Sequence, residues 1–218
     1  MPRYYGFLNK QTCWNEMYYY QKSDVLYQMT FAFCNRFISL HGDRTRDQMI
    51  QAARSCKQNI VEGHADGVTS TEMQVKLLNV ARASLVELLE DYIDYAKAHS
   101  LTIWDKTHPR FDNLLSFCKS HNKLKDYQPF FQKWTDEEYC NTAISLCHIV
   151  DKQLYSIIKF LEKDFVENGG IKERMHKART NYRSQQDEEL LQLQQEIPLL
   201  KSEIKRLQTI LKDNGISF

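Results

Sequence analysis

Turn-forming residues are scarce in this sequence, which holds only seven Gly and four Pro in 218 residues. So few of them exclude a sheet-rich fold with many tight turns and favour long helices joined by few loops. Long apolar runs are missing too, because no stretch approaches the ~20 residues that a membrane-spanning helix needs. Residues 1–16 show neither the apolar run nor the small-residue cleavage site of a secretory signal. We therefore expect a helical protein of the cytoplasm that does not enter a membrane.

An excess of charge of either sign is also missing. The chain has 29 basic and 28 acidic residues and a formal net charge of +1, so only a local patch can attract nucleic acid or an anionic surface. The six cysteines form no CxxC pair and no Cys/His cluster with zinc-ligand spacing. We interpret them as reduced thiols in the core and expect no metal and no cofactor.

Apolar residues recur in steps of three and four over four long stretches, which is the period of an amphipathic helix. The stretches are predicted at about 16–40, from 45 to just before Gly63, from 69–71 to about 99, and from 135 to Gly169-Gly170. Capping boxes, in which two residues three apart satisfy each other's backbone amides, mark three of the starts: Thr45 with Gln48, Thr69 with Glu72, and Thr135 with Glu138. Gly63 is expected in the left-handed conformation just past a helix end.

Four such helices predict an all-α fold, an antiparallel up-down-up-down four-helix bundle with a C-terminal helical suffix and a short coiled-coil tail. The predicted bundle spans 1–167 and includes an aromatic N-terminal arm. An insert at 100–134, with a short helix at about 111–120, docks on the bundle. A basic helical suffix is predicted at 168–186, and the coiled-coil tail at 187–218.

The tail carries the spacing of a coiled coil, because its apolar residues alternate strictly in steps of three and four over about three heptads. Pro198 stands inside the pattern, and a proline in a helix interior costs ~3 kcal/mol. We therefore predict that the helix restarts with Pro198 at its first position and stops at 214–215. The stripe must meet a second copy of the chain, the bundle or another protein. Its members are Leu190, Leu193, Ile197, Leu200, Ile204, Leu207 and Leu211.

A separate short basic helix is predicted at 171–182. Its cations are opposed only by Glu173, so they can neutralise phosphates and give salt-dependent binding to RNA or DNA, and Tyr182 can stack on a base. A solvated helix face is the alternative interpretation. Arg44 and Arg46 form a second, weaker patch. The cations of the main run are Lys172, Arg174, Lys177, Arg179 and Arg183.

Residues 48–92 resemble the signature of a bacterial family of four-helix-bundle proteins, named for open reading frames in 23S rRNA intervening sequences. The markers are Ala53-Arg54-Ser55, then the run 59–63, then the segment 77–90. Residues 160–183 are similar to a suffix domain that follows the bundle in a subset of the family. The resemblance covers roughly residues 19–183 and implies the same fold.

Relatives on this fold include the accessory variability determinants of diversity-generating retroelements. The resemblance implies a homo-oligomer, with a pentamer favoured, that has no catalytic site and binds nucleic acid and a reverse transcriptase. Those relatives are strongly basic, whereas this chain is nearly neutral. The predicted function is a non-enzymatic oligomeric scaffold or adaptor that binds nucleic acid or a nucleic-acid enzyme such as a reverse transcriptase. The alternative is a structural protein–protein interaction module without nucleic-acid binding.

Polar residues within the signature have two interpretations. These residues are Arg54, Asn59 and Glu62, next to Gly63. They form either a surface that touches a ligand or a buried network. A buried network would tie the second helix to the third through Ser84 or Glu87 by an ion pair and hydrogen bonds.

An enzyme reading would make Glu62, His64 and Asp66, which crowd one segment, the acid, the base and the orienting group. The sequence offers no nucleophile with a partner and no phosphate-cradling glycine loop. A solvated turn at a helix end is the favoured interpretation, and we expect no catalytic residue and no small-molecule substrate.

Overall fold

The computed structural model describes residues 13–39 and 44–213. Every regular element within those ranges is helical, which confirms the all-α class. The described chain divides into two compact units, one that runs to Gly170 and one formed by the last helix. The α-helices, in chain order, are α1 (Tyr18–Phe37), α2 (Thr45–Asp66), α3 (Thr71–Ala98), α4 (Phe111–Ser120), α5 (Leu124–Tyr127), α6 (Asp136–Asn168) and α7 (Ile171–Asp213). The predicted N-terminal arm up to residue 12 and the predicted stop at 214–215 lie outside the described residues.

The first unit buries the apolar faces of its four long helices. Helix α1 contacts α2 and α6, and α3 contacts the same two helices. Each helix contributes one apolar stripe to a shared core, and burying one such large side chain contributes ~1.5–3 kcal/mol. Large side chains with at most 1% of their surface exposed include Leu26, Met29, Phe33, Met49, Ile60, Leu78, Leu85, Leu88, Tyr92 and Tyr139.

Aromatic rings fill one part of this core. The ring centroid of Phe33 lies 5.1 Å from that of Tyr92 and 5.7 Å from that of Tyr139. The buried phenol of Tyr92 donates to Oγ1 of Thr30 at 3.0 Å, so its polar atom is satisfied without water. Burial raises the pKa of Tyr92 well above its ordinary value, and the group is therefore neutral.

Residues 100–134, the predicted insert, dock on α6. The indole Nε1 of Trp104 donates to Oε1 of Glu137 at 2.8 Å, and its backbone amide donates to Oδ1 of Asn141 at 2.6 Å. Asn141 returns a hydrogen bond from Nδ2 to the carbonyl of Thr102 at 2.8 Å. These bonds fix the start of the segment to α6, and its predicted short helix is α4, Phe111–Ser120.

A buried lysine holds the end of α4 against α1. Lys22 is only 1% exposed, and its Nζ donates to the backbone carbonyls of Cys118 and His121, the latter at 2.7 Å. The partial negative charge at a helix C-terminus favours a cation there. Burial lowers the pKa of the Lys22 ammonium below its ordinary value. The sequence pattern does not reveal this contact, since it joins a side chain to carbonyls about a hundred residues later.

Helix starts follow local hydrogen bonding, and two of the three predicted capping boxes are wrong. Thr135 Oγ1 accepts from the amide of Glu138 at 3.2 Å, and Oε2 of Glu138 accepts from the amide of Thr135 at 2.9 Å, as predicted. Thr45 instead lies inside α2, whose flanking residue is already helical and makes no side-chain cap. Helix α3 is capped one residue later than predicted, because Ser70 Oγ accepts from the amide of Met73 at 3.1 Å.

Two predicted helix ends are also corrected. Gly63 does not follow α2 but is buried within it, and among the described residues only Gly169 and Ser100 have a positive φ. A Cβ at Gly63 would lie 3.4 Å from Cβ of Leu77, which is ordinary van der Waals contact, so the position is helical and has room for a methyl group. Helix α1 ends at Phe37, a few residues before the predicted end. Gly169, with φ of 71°, ends α6 as predicted.

Helix α7 is continuous from Ile171 to Asp213, so the predicted helix end near 182 and the predicted restart at Pro198 are both wrong. A proline removes one backbone hydrogen bond from a helix. In a helix of this length the remaining bonds continue on both sides of the gap. The basic run and the heptad stripe therefore belong to one rod.

Candidate functional site

The second unit presents an open apolar stripe. No residue of α7 is buried, and six members of the predicted heptad stripe are each between 47% and 56% exposed, while Leu211 is partly buried. A single helix cannot bury its own stripe, and a contiguous exposed apolar surface marks an interaction site. We call this set the seam, and its residues are Leu190, Leu193, Ile197, Leu200, Ile204, Leu207 and Leu211.

Side-chain type follows heptad position along the seam. Ile197 and Ile204 stand at the first core position, called a, whereas Leu193, Leu200 and Leu207 stand at the second core position, called d. The residues at the two ends of the seam are also leucines at a positions. β-Branched residues at a with leucine at d are the pattern of a two-stranded coiled coil.

Polar side chains border the seam on both sides, at the flanking heptad positions g and e, where coiled coils place their interhelical ion pairs. All of these residues are exposed. The g positions hold Glu189, Glu196, Glu203 and, at the end of the seam, the apolar Ile210, and the e positions hold Gln194, Lys201 and Gln208. Pro198 stands at the outer b position, so its ring does not enter the seam.

The five cations predicted as a nucleic-acid contact do not share one face of α7. At about 100° per residue, Lys172, Arg179 and Arg183 lie on one side of the helix, and Arg174 and Lys177 lie on the other. The first three are exposed, as is Lys177, and Arg174 is partly buried. We call Lys172, Arg179 and Arg183 the basic stripe.

Arg46, from the second predicted patch, has an intramolecular role. Its Nη1 donates to the backbone carbonyl of Cys34 at 3.1 Å, and its Nη2 donates to Oδ1 of Asn35. The guanidinium therefore ties the start of α2 to the end of α1. Arg44 beside it is exposed.

Of the polar residues in the signature, one takes part in a contact between two helices and two lie on the surface. Asn59 Nδ2 donates to the carbonyl and the hydroxyl of Ser55 at 2.9 and 3.2 Å, and Ser84 Oγ donates to Ser55 Oγ at 3.0 Å. This chain of bonds links α2 to α3, as predicted for Ser84. Arg54 and Glu62 are exposed, so the buried ion pair predicted among these residues is wrong.

His64 is buried rather than placed in a solvated turn, because α2 continues to Asp66. Its Nε2 lies 2.5 Å from the hydroxyl of Tyr19. Burial lowers the pKa of His64 and raises the pKa of Tyr19 to about 12, so the two form a neutral pair at pH 7. They line a cavity of about 480 Å³, and its other walls include Thr71, Gln74, Ile157, Phe160 and Leu161. Sequence reasoning missed this pair because its members are separated by 45 residues.

Residues 13–39 and 44–213 contain no group of three or more His, Cys, Asp or Glu side chains placed to hold a metal ion. Five of the six cysteines are buried and one, Cys13, is exposed. Burial raises the pKa of Cys56 and of Cys140 to about 12, which suppresses their reactive thiolate forms.

No protein-family model, no curated protein and no solved structure matches the chain. None of the described helices combines the length and the apolar character needed to cross a membrane.

Proposed function

We propose that this chain is a non-enzymatic oligomeric scaffold that acts as an adaptor, with α7 as its assembly helix. The observation that carries the proposal is the exposure of the seam. At ~1.5 Å per residue, the seam presents about half-exposed leucine and isoleucine side chains over roughly 30 Å. Burying these side chains against a partner removes apolar surface from water, which is the main driving force of protein association.

We also propose that α1, α2, α3 and α6 form an antiparallel up-down-up-down four-helix bundle, the fold that the sequence resemblance implies. Residue pairs along neighbouring helices support opposite directions. The pairs are Tyr19–His64 and Cys34–Arg46 for α1 with α2, and Gly63–Leu77 and Ser55–Ser84 for α2 with α3.

The basic stripe is our proposed contact with RNA or DNA, directly or beside a nucleic-acid enzyme such as a reverse transcriptase. Its support is the exposure of Lys172, Arg179 and Arg183 on one side of α7. The second candidate is an interaction module that binds only protein, and the chain's net charge of +1 favours it.

Size-exclusion chromatography with light scattering, read at 260 and 280 nm, tests self-assembly and nucleic-acid binding together. The proposal predicts a mass that is a multiple of 25.9 kDa, with nucleic acid eluting in the same peak at low salt. A clean protein oligomer would support the interaction module. A monomer would refute the scaffold proposal.

A charge-reversal pair tests the basic stripe. The stripe variant combines Lys172→Glu, Arg179→Glu and Arg183→Glu. It should bind a fluorescent mixed-sequence single-stranded RNA more weakly than the parent. The slope of log affinity against log salt concentration should fall by about 2, at ~0.7 per phosphate contact. The matched control reverses the same amount of charge at three exposed lysines of the insert, Lys106, Lys119 and Lys125, and should bind more strongly than the stripe variant. Equal binding by the two variants would remove the stripe from the site.

A further inference from the structure

We propose that the seam pairs with the seam of a second copy of this chain, as a parallel, in-register, two-stranded coiled coil. This inference rests on the proposed self-assembly and adds the identity of the partner, the number of strands and their orientation. The family resemblance implies an assembly of five chains, and we propose an assembly built from dimers in its place.

The core residues favour two strands. In parallel coiled coils, isoleucine at a with leucine at d favours dimers, whereas leucine at a with isoleucine at d favours higher orders. The two inner a positions here are Ile197 and Ile204, and all three d positions are leucine. Pro198 stands at b, so its ring lies outside the core; the carbonyl that loses its donor belongs to Gln194, at an e position beside the core.

The flanking charges favour the parallel direction and a second copy as the partner. In a parallel pair, each g residue faces the e residue of the next heptad in the other strand, which places Glu196 opposite Lys201 twice by symmetry. Glu189 and Glu203 then face Gln194 and Gln208. In an antiparallel pair g residues face g residues, so the glutamates of the two strands would confront one another. Like charges at such positions are unfavourable.

Engineered cysteines test the orientation in the full chain. Cys13 is exposed and the other five cysteines are buried, so Cys13→Ser removes the one native thiol that is accessible to cross-linking. Leu207→Cys alone and Leu193→Cys alone should each form a disulfide-linked dimer under copper–phenanthroline, because identical residues face each other in a parallel register. The control, Leu199→Cys, adds a thiol at a 70% exposed position outside the seam and should cross-link far more slowly.

An antiparallel pair would give the opposite result. An a residue faces a d residue of the other strand in that orientation, so cross-linking would then require a mixture of the Leu193→Cys and Ile204→Cys proteins. Neither Leu193→Cys nor Leu207→Cys alone would exceed the Leu199→Cys control. That outcome would overturn the proposed orientation. It would leave the scaffold proposal standing, because the seam would still join two chains.

A charge exchange tests the register. Glu196→Lys places a lysine opposite Lys201 of the other strand, twice by symmetry. It should weaken self-association by about threefold to tenfold, because two ion pairs are lost and two like-charge contacts are gained, each worth a few tenths of a kcal/mol. Adding Lys201→Glu should restore the dissociation constant measured by sedimentation equilibrium. Glu188→Lys, at an outer position, is the control for net charge and should have little effect. An oligomer of five chains, or equal effects of Glu196→Lys and Glu188→Lys, would overturn the paired register. A monomeric parent chain would instead refute the proposed function itself.

Discussion

Replacing Lys22 with methionine tests the role of a buried ammonium that joins α1 to the end of α4. Methionine keeps most of the length and the apolar stem of lysine but has no donor. His121 O keeps a second donor, the hydroxyl of Tyr127 at 2.9 Å. The carbonyl of Cys118 loses the ammonium that it accepts from.

The expected loss of stability is about 2 kcal/mol. An unsatisfied buried acceptor costs ~1–3 kcal/mol, and the lost charge at the α4 C-terminus adds ~0.3–1 kcal/mol. The variant no longer has to bury a charged ammonium, and this gain offsets part of the cost. For a chain of this size, each kcal/mol lowers the melting temperature by ~2–4 °C. Thermal denaturation of Lys22→Met should therefore show a fall of roughly 4–8 °C. Lys119→Met, at an exposed lysine in the last turn of α4, should stay within about 0.5 kcal/mol of the parent.

The pH dependence gives an independent check with a definite sign. Burial lowers the pKa of Lys22 in the folded chain, so the unfolded chain binds more protons between the folded pKa and the ordinary value near 10.5. The stability that Lys22 contributes to the parent therefore rises with pH in that window. The difference between the parent and Lys22→Met should grow as the pH rises toward 10.5. A difference that is constant with pH, or a variant as stable as Lys119→Met, would refute the reasoning.

Three further predictions concern the first unit. Gly63→Ala should stabilise the fold by about 0.5–1 kcal/mol, because alanine favours helix and its Cβ would meet Leu77 at an ordinary 3.4 Å. A lower melting temperature would show that this position does not accept a Cβ. Asn141→Ala should destabilise by about 2 kcal/mol, and hydrogen exchange at the Trp104 amide should accelerate, whereas unchanged exchange would argue against that bond. Ellman's reagent should modify one thiol per native chain, that of Cys13, and reaction of several thiols would contradict the burial of the others.

The parts of the fold that the sequence predicts are those set by local periodicity. The capping box at Thr135 needs only residues within one turn, and its prediction is confirmed. At Ser70 the prediction misses by one residue, because a neighbouring threonine offers the same hydroxyl chemistry. Gly63 misleads because glycine also occurs inside helices, and the helical backbone conformation that it adopts within α2 cannot be read from the residue type.

Other features depend on contacts that a linear pattern does not contain. Lys22 finds its carbonyl partners about a hundred residues later, and Tyr19 meets His64 across two helices. The basic run was predicted as one patch, but helical geometry at about 100° per residue divides it between two sides of α7, a division that the predicted helix at 171–182 already implies. The heptad spacing of the seam was visible in the sequence, yet its exposure in the folded chain could be read only from the structure.

The claim that α7 assembles the protein is tested most directly by measuring the mass of the full chain with two paired substitutions. Leu193→Glu with Leu200→Glu places charges in the seam. The control, Leu191→Glu with Leu199→Glu, adds the same charges at positions 56% and 70% exposed on the outer side of the helix. Light scattering should give the control the same oligomeric mass as the parent and should give the seam variant the mass of a single 25.9 kDa chain. A seam variant that keeps the parental mass would contradict the account.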